Sequence, residues 1–383
     1  MRSLWIAHSV EFFFFVGMVS AAAPGRSISY FAMWPHQIAV FDAAQEKIVD
    51  TIDLKTDVPY ELFLSYDKTK LFGYSLQDSA INMIDCKTNK VVTSFSLNSG
   101  NRTVRVKGLT SDPTGKYLYG VVFSTVAKID RYEFEPTKFV VIDLAQKAIT
   151  RMADYPKDES SGGFHLEMKV SPDGKYLYIF HDHILVVDTS NFTVVKKIDL
   201  AKPAPPGMEA VSLEASEDPN EEPGTMVSVF ESSDPYVHRR VFGIARVDLS
   251  NLTFDFTPVG PAVGAMSGLR LTPDHKIGYA AVVQGPAGNK RAEFWSFDMQ
   301  TRKVMARHEF PARTRFFFAL SAEGSKIFIY GAGFDVQVYD AKTFEPRSDV
   351  ITPGDITTSM AVLPLSSEAN QSAKAPSSGS NAR

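Results

Sequence analysis

Glu61, His165, Glu209 and Arg315 are the side chains best suited to hydrolytic chemistry in this sequence. A carboxylate and an imidazole can move protons, and an arginine can steady a developing oxyanion, provided the fold brings such distant positions together. His181 and His183 in the run HDH alternate as neighbours on one strand face do, and imidazoles bind zinc or copper. With no third ligand nearby in sequence they read as exposed turn histidines, and no metal is expected. The self-contained catalytic signatures are missing: there is no G-x-S-x-G, phosphate-binding loop, H-E-x-x-H or dinucleotide glycine pattern. A third kind of candidate is aromatic: RYEFEPT, residues 131–137, is an acidic, proline-bearing run found nowhere else in the chain.

Composition narrows the classes further. The chain has 383 residues, 44% hydrophobic and 22% charged, with a formal net charge of -4 and no basic stripe, so counterion release from nucleic acid offers it nothing. Cys86 is the only cysteine. That count excludes an internal disulfide, a C-x-x-C-H haem attachment, a paired-cysteine zinc site and thioether-crosslinked cofactors. Cys86 itself follows a strand-ending Asp and reads as a turn residue. Residues 1–22 have the pattern of a secretory signal: an early arginine, an apolar run from Phe12 to Val19, and small residues before a cleavage point. The apolar run is too short to span a bilayer, so an exported, periplasmic protein is expected.

The elements that must position these residues are repeats. A strand ending in apolar-Asp, a short polar turn and a second strand recur seven times, with the Asp at positions 42, 85, 143, 188, 248, 298 and 340. The spacing, roughly 50 residues, suits four short strands and their turns. The Asp carboxylate accepts hydrogen bonds from backbone N–H groups two or three residues on, which makes it a hairpin closer rather than a metal ligand. Alternating with it are strand–turn–strand runs with Pro-Asp-Gly-Lys chemistry, such as VSPDGKYLYIF and LTPDHKIGYAAV. One unit departs: VSLEASEDPNEEPGTMVSVF has a long acidic turn, read as a solvated loop.

Four antiparallel strands repeated seven times predict an all-β, seven-bladed β-propeller over residues 27–365. The strands of a blade are called a to d from the channel outward. The chain starts at strand b, and TTSMAVLPL near its end supplies the missing strand a, so the two ends close the ring together. Residues 366–383, a polar tail, cannot form a core and are expected to be disordered. The a–b and c–d turns share one face and are uniform. The b–c and d–a connections share the other and vary: from the first-turn Lys to the repeat Asp is 15 residues in one blade (Lys70 to Asp85), 27 in the next (Lys116 to Asp143) and 13 in the third (Lys175 to Asp188). Variable loops on a rigid scaffold are where binding concentrates, so the second face is the candidate functional face. RYEFEPT lies in the 27-residue case. Asp234, Tyr236, Arg239, Arg315, Phe316 and Phe317 border the same face, although for Phe316 to Phe318 the inner strand of a blade is the better reading. Glu61, His165, Glu209 and Arg315 stand near inner-strand starts and could converge at the channel mouth, as a hydrolase acting alone would need.

RYEFEPTKFVVID resembles the propeller subunit of quinohaemoprotein amine dehydrogenase, within the wider YVTN/WD40-like quinoprotein amine dehydrogenase superfamily. There a Phe-Glu-x-Gln-Pro-Thr run precedes the strand and its Asp in the same blade. Tyr132, Glu133, Pro136 and Thr137 keep that pattern, with Tyr for Phe and Glu135 where the family has Gln. The likeness runs on through TMVSVFESSDPYVHRR, RFFFALSAEGSK and TTSMAV as pattern, and only the insertion is specific. The resemblance implies a propeller without a redox cofactor of its own. A small partner chain would carry cysteine tryptophylquinone, on which a primary amine is oxidatively deaminated, and a di-haem cytochrome c chain would take the electrons. It also implies that Tyr132, Glu133, Phe134, Pro136, Thr137, Tyr236, Arg315 and Phe316 face a partner or the substrate pocket, with no catalytic residue in this chain. A stand-alone binding propeller and a lactonase-like hydrolase are the alternatives.

Overall fold

The computed structural model describes residues 26–159, 165–181, 183–200, 208, 210–213, 218–234, 236, 239–286, 289–311, 313, 315–331 and 333–365. The segments expected to be a signal, 1–22, and a tail, 366–383, lie outside the described residues. All regular structure here is β: seven antiparallel sheets arranged as the blades of a propeller. No helix among the described residues is long and apolar enough to cross a membrane.

Blade 1 contains Arg26–Met33, Gln37–Asp42 and Lys47–Asp53, and its inner strand is the C-terminal Ala361–Leu365. Blades 2 to 7 then follow in chain order, with inner strands Glu61–Leu64, Arg102–Ser111, Glu167–Val170, Ala210–Leu213, the split pair Ala265–Met266 and Arg270–Leu271, and Phe317–Leu320. Ring closure is as the sequence predicts: Tyr30 lies opposite Ala361 and Arg26 opposite Leu365 in an antiparallel ladder.

The hairpin that carries each repeat Asp explains its fixed length. Asp85 Oδ1 accepts from the backbone N of Lys87 and Thr88, and Asp143 Oδ1 from Ala145 and Gln146. Four residues after every repeat Asp the backbone turns left-handed: Glu46, Asn89, Lys147, Phe192, Leu252, Arg302 and Phe344 all have φ between 52° and 62°. None is glycine, so the carboxylate clamp and the strand pairing hold a conformation that L-residues otherwise avoid.

Because blades are apolar on both sheet faces, the core is divided among the spaces between them. Seven buried clusters result, one for each neighbouring pair. The seam that closes the ring, between blades 7 and 1, packs Phe41 edge-on to Phe328 with ring centroids 5.3 Å apart. Glu46 of blade 1 reinforces it from the rim, taking hydrogen bonds from Arg347 at 2.7 Å and Ser348 at 2.6 Å and lying 2.9 Å from Lys326, all in blade 7. Burial pushes the Glu46 carboxyl up, but the bonds from Ser348, Lys326 and Arg347 outweigh it and hold the pKa at about 2.

The acidic turn of blade 5 is not the solvated loop that its composition suggests. Its described part, from Asp218, crosses the channel. Pro219 O accepts from Lys68 of blade 2 at 2.8 Å. Asn220 donates to Leu271 O of blade 6 at 2.8 Å and to Ala322 O of blade 7 at 3.0 Å. Glu221 pairs with Lys169 of blade 4, and Asp218 accepts from Leu271 N at 2.6 Å. Five blades thus meet on one turn, which plugs the channel at its uniform face. Burial pushes both Asp218 and Glu221 up from the usual carboxylate range, against the pull of Arg270 on the first and Lys169 on the second. The turn ends at Gly224, φ 79°, where a Cβ would stand 2.9 Å from Pro172 Cγ.

Candidate functional site on the variable face

RYEFEPT is a strand rather than a loop. Tyr132–Phe134 pairs with the end of the second strand of blade 3, Tyr117–Ala127, with Tyr132 opposite Ala127 and Phe134 opposite Thr125. The inner strand follows the same extension: Arg102–Ser111 is ten residues long, and Arg102 lies opposite Val126. The third strand of the blade proper starts only at Lys138, opposite Val122. Five residues of the second strand, 123–127, therefore stand beyond the disc, roughly 16 Å at strand rise. A three-stranded flap rises from the variable face.

Its charged residues serve the flap itself. Glu133 is paired with Arg131 at 2.6 Å and Lys128 at 3.4 Å, and Glu135 with Arg102 at 2.5 Å. Thr137 O accepts from Tyr155 N at 3.1 Å, tying the flap's base to the outer strand, and Pro136 is exposed beside it. Tyr132 and Phe134, two apart on one strand, point the same way and are 70% and 77% exposed. Tyr236 tips the hairpin of blade 5 and is 84% exposed, its backbone N held by Asp234 Oδ1 at 2.9 Å. Trp34 and Phe334, on the corresponding turns of blades 1 and 7, and Tyr60 at the entrance to blade 2 are exposed on the same face. On the uniform face the exposed aromatics among the described residues are Tyr117 and Tyr176, at 37% and 38%. Blades 1 and 7 could have been read this way from sequence, since Trp34 and Phe334 stand in b–c positions set by the repeat.

Phe316 departs from what the resemblance implies. It packs edge-on to Phe310, centroids 5.5 Å apart, against the core between blades 6 and 7. It is partly buried, its ring packed against the wall between the two blades as the inner-strand reading has it. Phe317 likewise lies against Tyr330 at 5.7 Å. The histidines of HDH are also not free turn residues. His183 opens the third strand of blade 4, its Nε2 2.8 Å from Glu159 Oε2, and its ring stacks on His181 at 6.0 Å. Among the described residues no three His, Cys, Asp or Glu side chains are placed to hold a metal ion.

At the channel mouth three of the four residues suited to hydrolytic chemistry come together. Glu61, His165 and Arg315 line one cavity of about 390 Å³, together with Glu167, Arg270 and the run Thr357–Met360. Glu209 lies outside the described residues. His165 Nδ1 is 3.8 Å from Glu61 Oε2, beyond hydrogen-bond reach. Burial holds its imidazole below the ordinary value although 37% of the side chain is exposed, so the ring is neutral at pH 7. Arg315 lies over the Phe317 ring at 5.4 Å. Met168, Arg270 and Met360 line both this cavity and the space above the plug, forming a waist.

No family model and no curated protein matches the chain. Solved structures do resemble it. Apo AztD from Citrobacter koseri is 13% identical over 90% of this chain and 99% of its own, with a TM-score of 0.53. A functionally unknown protein from Desulfotomaculum acetoxidans is 11% identical over 88% and 98%, with a TM-score of 0.53. Hydrazine synthase from Kuenenia stuttgartiensis is 16% identical over 80% and 90%, with a TM-score of 0.47. At such identities the likeness is one of fold alone, and the fold of this chain is a seven-bladed β-propeller.

Proposed function

We propose that the chain is a docking propeller whose variable face binds a partner protein, and that it serves as the propeller subunit of a periplasmic, amine-oxidising quinohaemoprotein. The observation that carries the reading is the segregation of exposed aromatics, with Tyr132, Phe134, Tyr236, Trp34 and Phe334 on one face. Aromatics rimmed by Arg and Glu have the composition of interface centres, and Tyr132 and Phe134 stand on a paired strand that is ordered before a partner arrives. The finer assignment rests on the insertion, whose pattern resembles the amine dehydrogenase propeller in the blade where that family has it. In such an assembly a small chain carrying cysteine tryptophylquinone would lie against the flap, and a di-haem cytochrome c chain would complete the electron path. This chain would contribute geometry and exclusion of water around the quinone.

The test is a tagged purification from the native periplasm, followed by haem absorbance and a quinone redox-cycling stain. Co-elution of a haem chain and a small quinone chain is the expected result. A colourless, monomeric eluate refutes the assembly.

A second reading has its own observation. Glu61, neutral His165 and Arg315 share the channel mouth, which suits a propeller acting alone on a small molecule, either as a binder or as a lactone hydrolase. Lactone hydrolysis by the purified chain would move the assignment there.

A further inference from the structure

We infer that the channel mouth is a binding site for a small zwitterion, a molecule bearing a carboxylate and an ammonium group a few bonds apart. Three observations lead there.

The cavity is blind. It opens on the variable face, narrows at Met168, Arg270 and Met360, and ends at the turn that Lys68, Lys169 and Leu271 hold across the channel. At about 390 Å³ it has the size of a small-molecule site rather than of a solvent pore.

Its charges are sorted by side. Arg270 of blade 6 and Arg315 at the start of blade 7 come from neighbouring blades, next to the hydroxyl-bearing Thr357, Thr358 and Ser359. Glu61 of blade 2 and Glu167 of blade 4 come from the other arc of the ring. An arc of each sign favours a ligand with both charges over an anion or a cation alone, since either would meet one repelling side.

Arg315 is available. No carboxylate among the described residues pairs with it, and its guanidinium rests on the Phe317 ring at 5.4 Å. A guanidinium held over a ring face, with no carboxylate partner among the described residues, has donors to offer a ligand, which suits bidentate capture of a carboxylate. Arg270 differs, because the Asp218 carboxylate below it draws on its charge. Arg315 is accordingly the anchor and Arg270 the floor, with the ammonium end directed toward Glu61.

The site lies inside the ring and the flap stands outside it, so a failed co-purification leaves this inference untouched. The experiment is isothermal titration of the full chain with γ-aminobutyrate, butyrate and butylamine in turn. γ-Aminobutyrate is expected to bind at least about tenfold more tightly than either single-charge probe. Arg315→Gln should remove butyrate binding and reduce γ-aminobutyrate to the level of butylamine, with Arg315→Lys intermediate because an ammonium lacks the fork. Arg315 is exposed, so these variants fold, and an unchanged thermal midpoint verifies it. The inference is overturned if γ-aminobutyrate gives no saturable heat, if butylamine or butyrate binds as well as it does, or if Arg315→Gln leaves its affinity unchanged.

Discussion

Lys68 of blade 2 donates to the carbonyl of Pro219, which belongs to blade 5, at 2.8 Å. Blade 2 is three places from blade 5 one way round the ring and four places the other, so the bond ties opposite sides of the propeller through its axis. Lys68→Met should cost about 1 kcal/mol and loosen the plug more than the blades. Denaturant unfolding would read the first effect, and hydrogen exchange at Asn220 and Glu221 the second. Equal protection of the plug in both proteins would show that the other blades hold it unaided.

The same plug contains a buried ion pair, Lys169 with Glu221, of which 17% and 9% of the side chains remain exposed. Glu221→Gln alone should destabilise by about 2 kcal/mol, because it breaks the hydrogen-bonded ion pair of a largely buried lysine. The double change with Lys169→Met should recover most of that loss. A double variant no better than the single would mean that the pair does not act as a unit.

Acid should open the ring at its closing seam first. Glu46, with its pKa held at about 2, contributes stability that is fully present above the ordinary carboxylate range and is lost as pH falls through that range toward about 2. Asp218 and Glu221 have the opposite sign. Their raised values contribute below the ordinary range and lose that contribution as pH rises through the raised values. Glu46→Gln should therefore lower stability at pH 7 by about 1–2 kcal/mol and flatten the acid limb of the stability curve. An acid limb as steep as that of the parent chain would move the trigger elsewhere.

Cys86 should be a slow thiol. It packs partly into the core between blades 1 and 2, and burial pushes its pKa up to about 12, so little thiolate exists at pH 8. Labelling by a maleimide should become fast only in denaturant. Rapid labelling of the native chain would show that the turn opens.

The flap and the wall beside blade 7 should respond oppositely to alanine. Tyr132→Ala with Phe134→Ala should leave stability within about 0.5 kcal/mol and abolish partner capture. Phe316→Ala should cost about 2–3 kcal/mol through the cavity it leaves beside Phe310, with capture retained at temperatures where the chain is folded. Capture that survives the flap variant would remove the flap from the interface.

Most of the architecture is legible in the sequence because its information is local. The Asp at a fixed place in each repeat, the uniform turn after it and the period-two strands each specify a hairpin by short-range hydrogen bonding, and seven such units stack in one way. The closing strand Ala361–Leu365 follows by counting, since blade 1 lacks an inner strand. The exposure of Tyr132 and Phe134 also follows, because an insertion in a b–c connection has nowhere to go but outward. What only the tertiary structure decided depends on which groups meet across the channel. The run from Asp218 to Glu222 has the composition of a solvated loop. It is a plug because Lys68, Lys169, Asn220 and the Leu271 backbone, from different blades, satisfy its polar groups where water would otherwise be needed. Phe316 reads as part of an inner strand, and only the tertiary structure shows which ring it meets, that of Phe310. Arg270 carries no signal in its repeat. Its place at the waist, facing Glu61 and Glu167 across the channel, arises only when blades 2, 4 and 6 close around one axis.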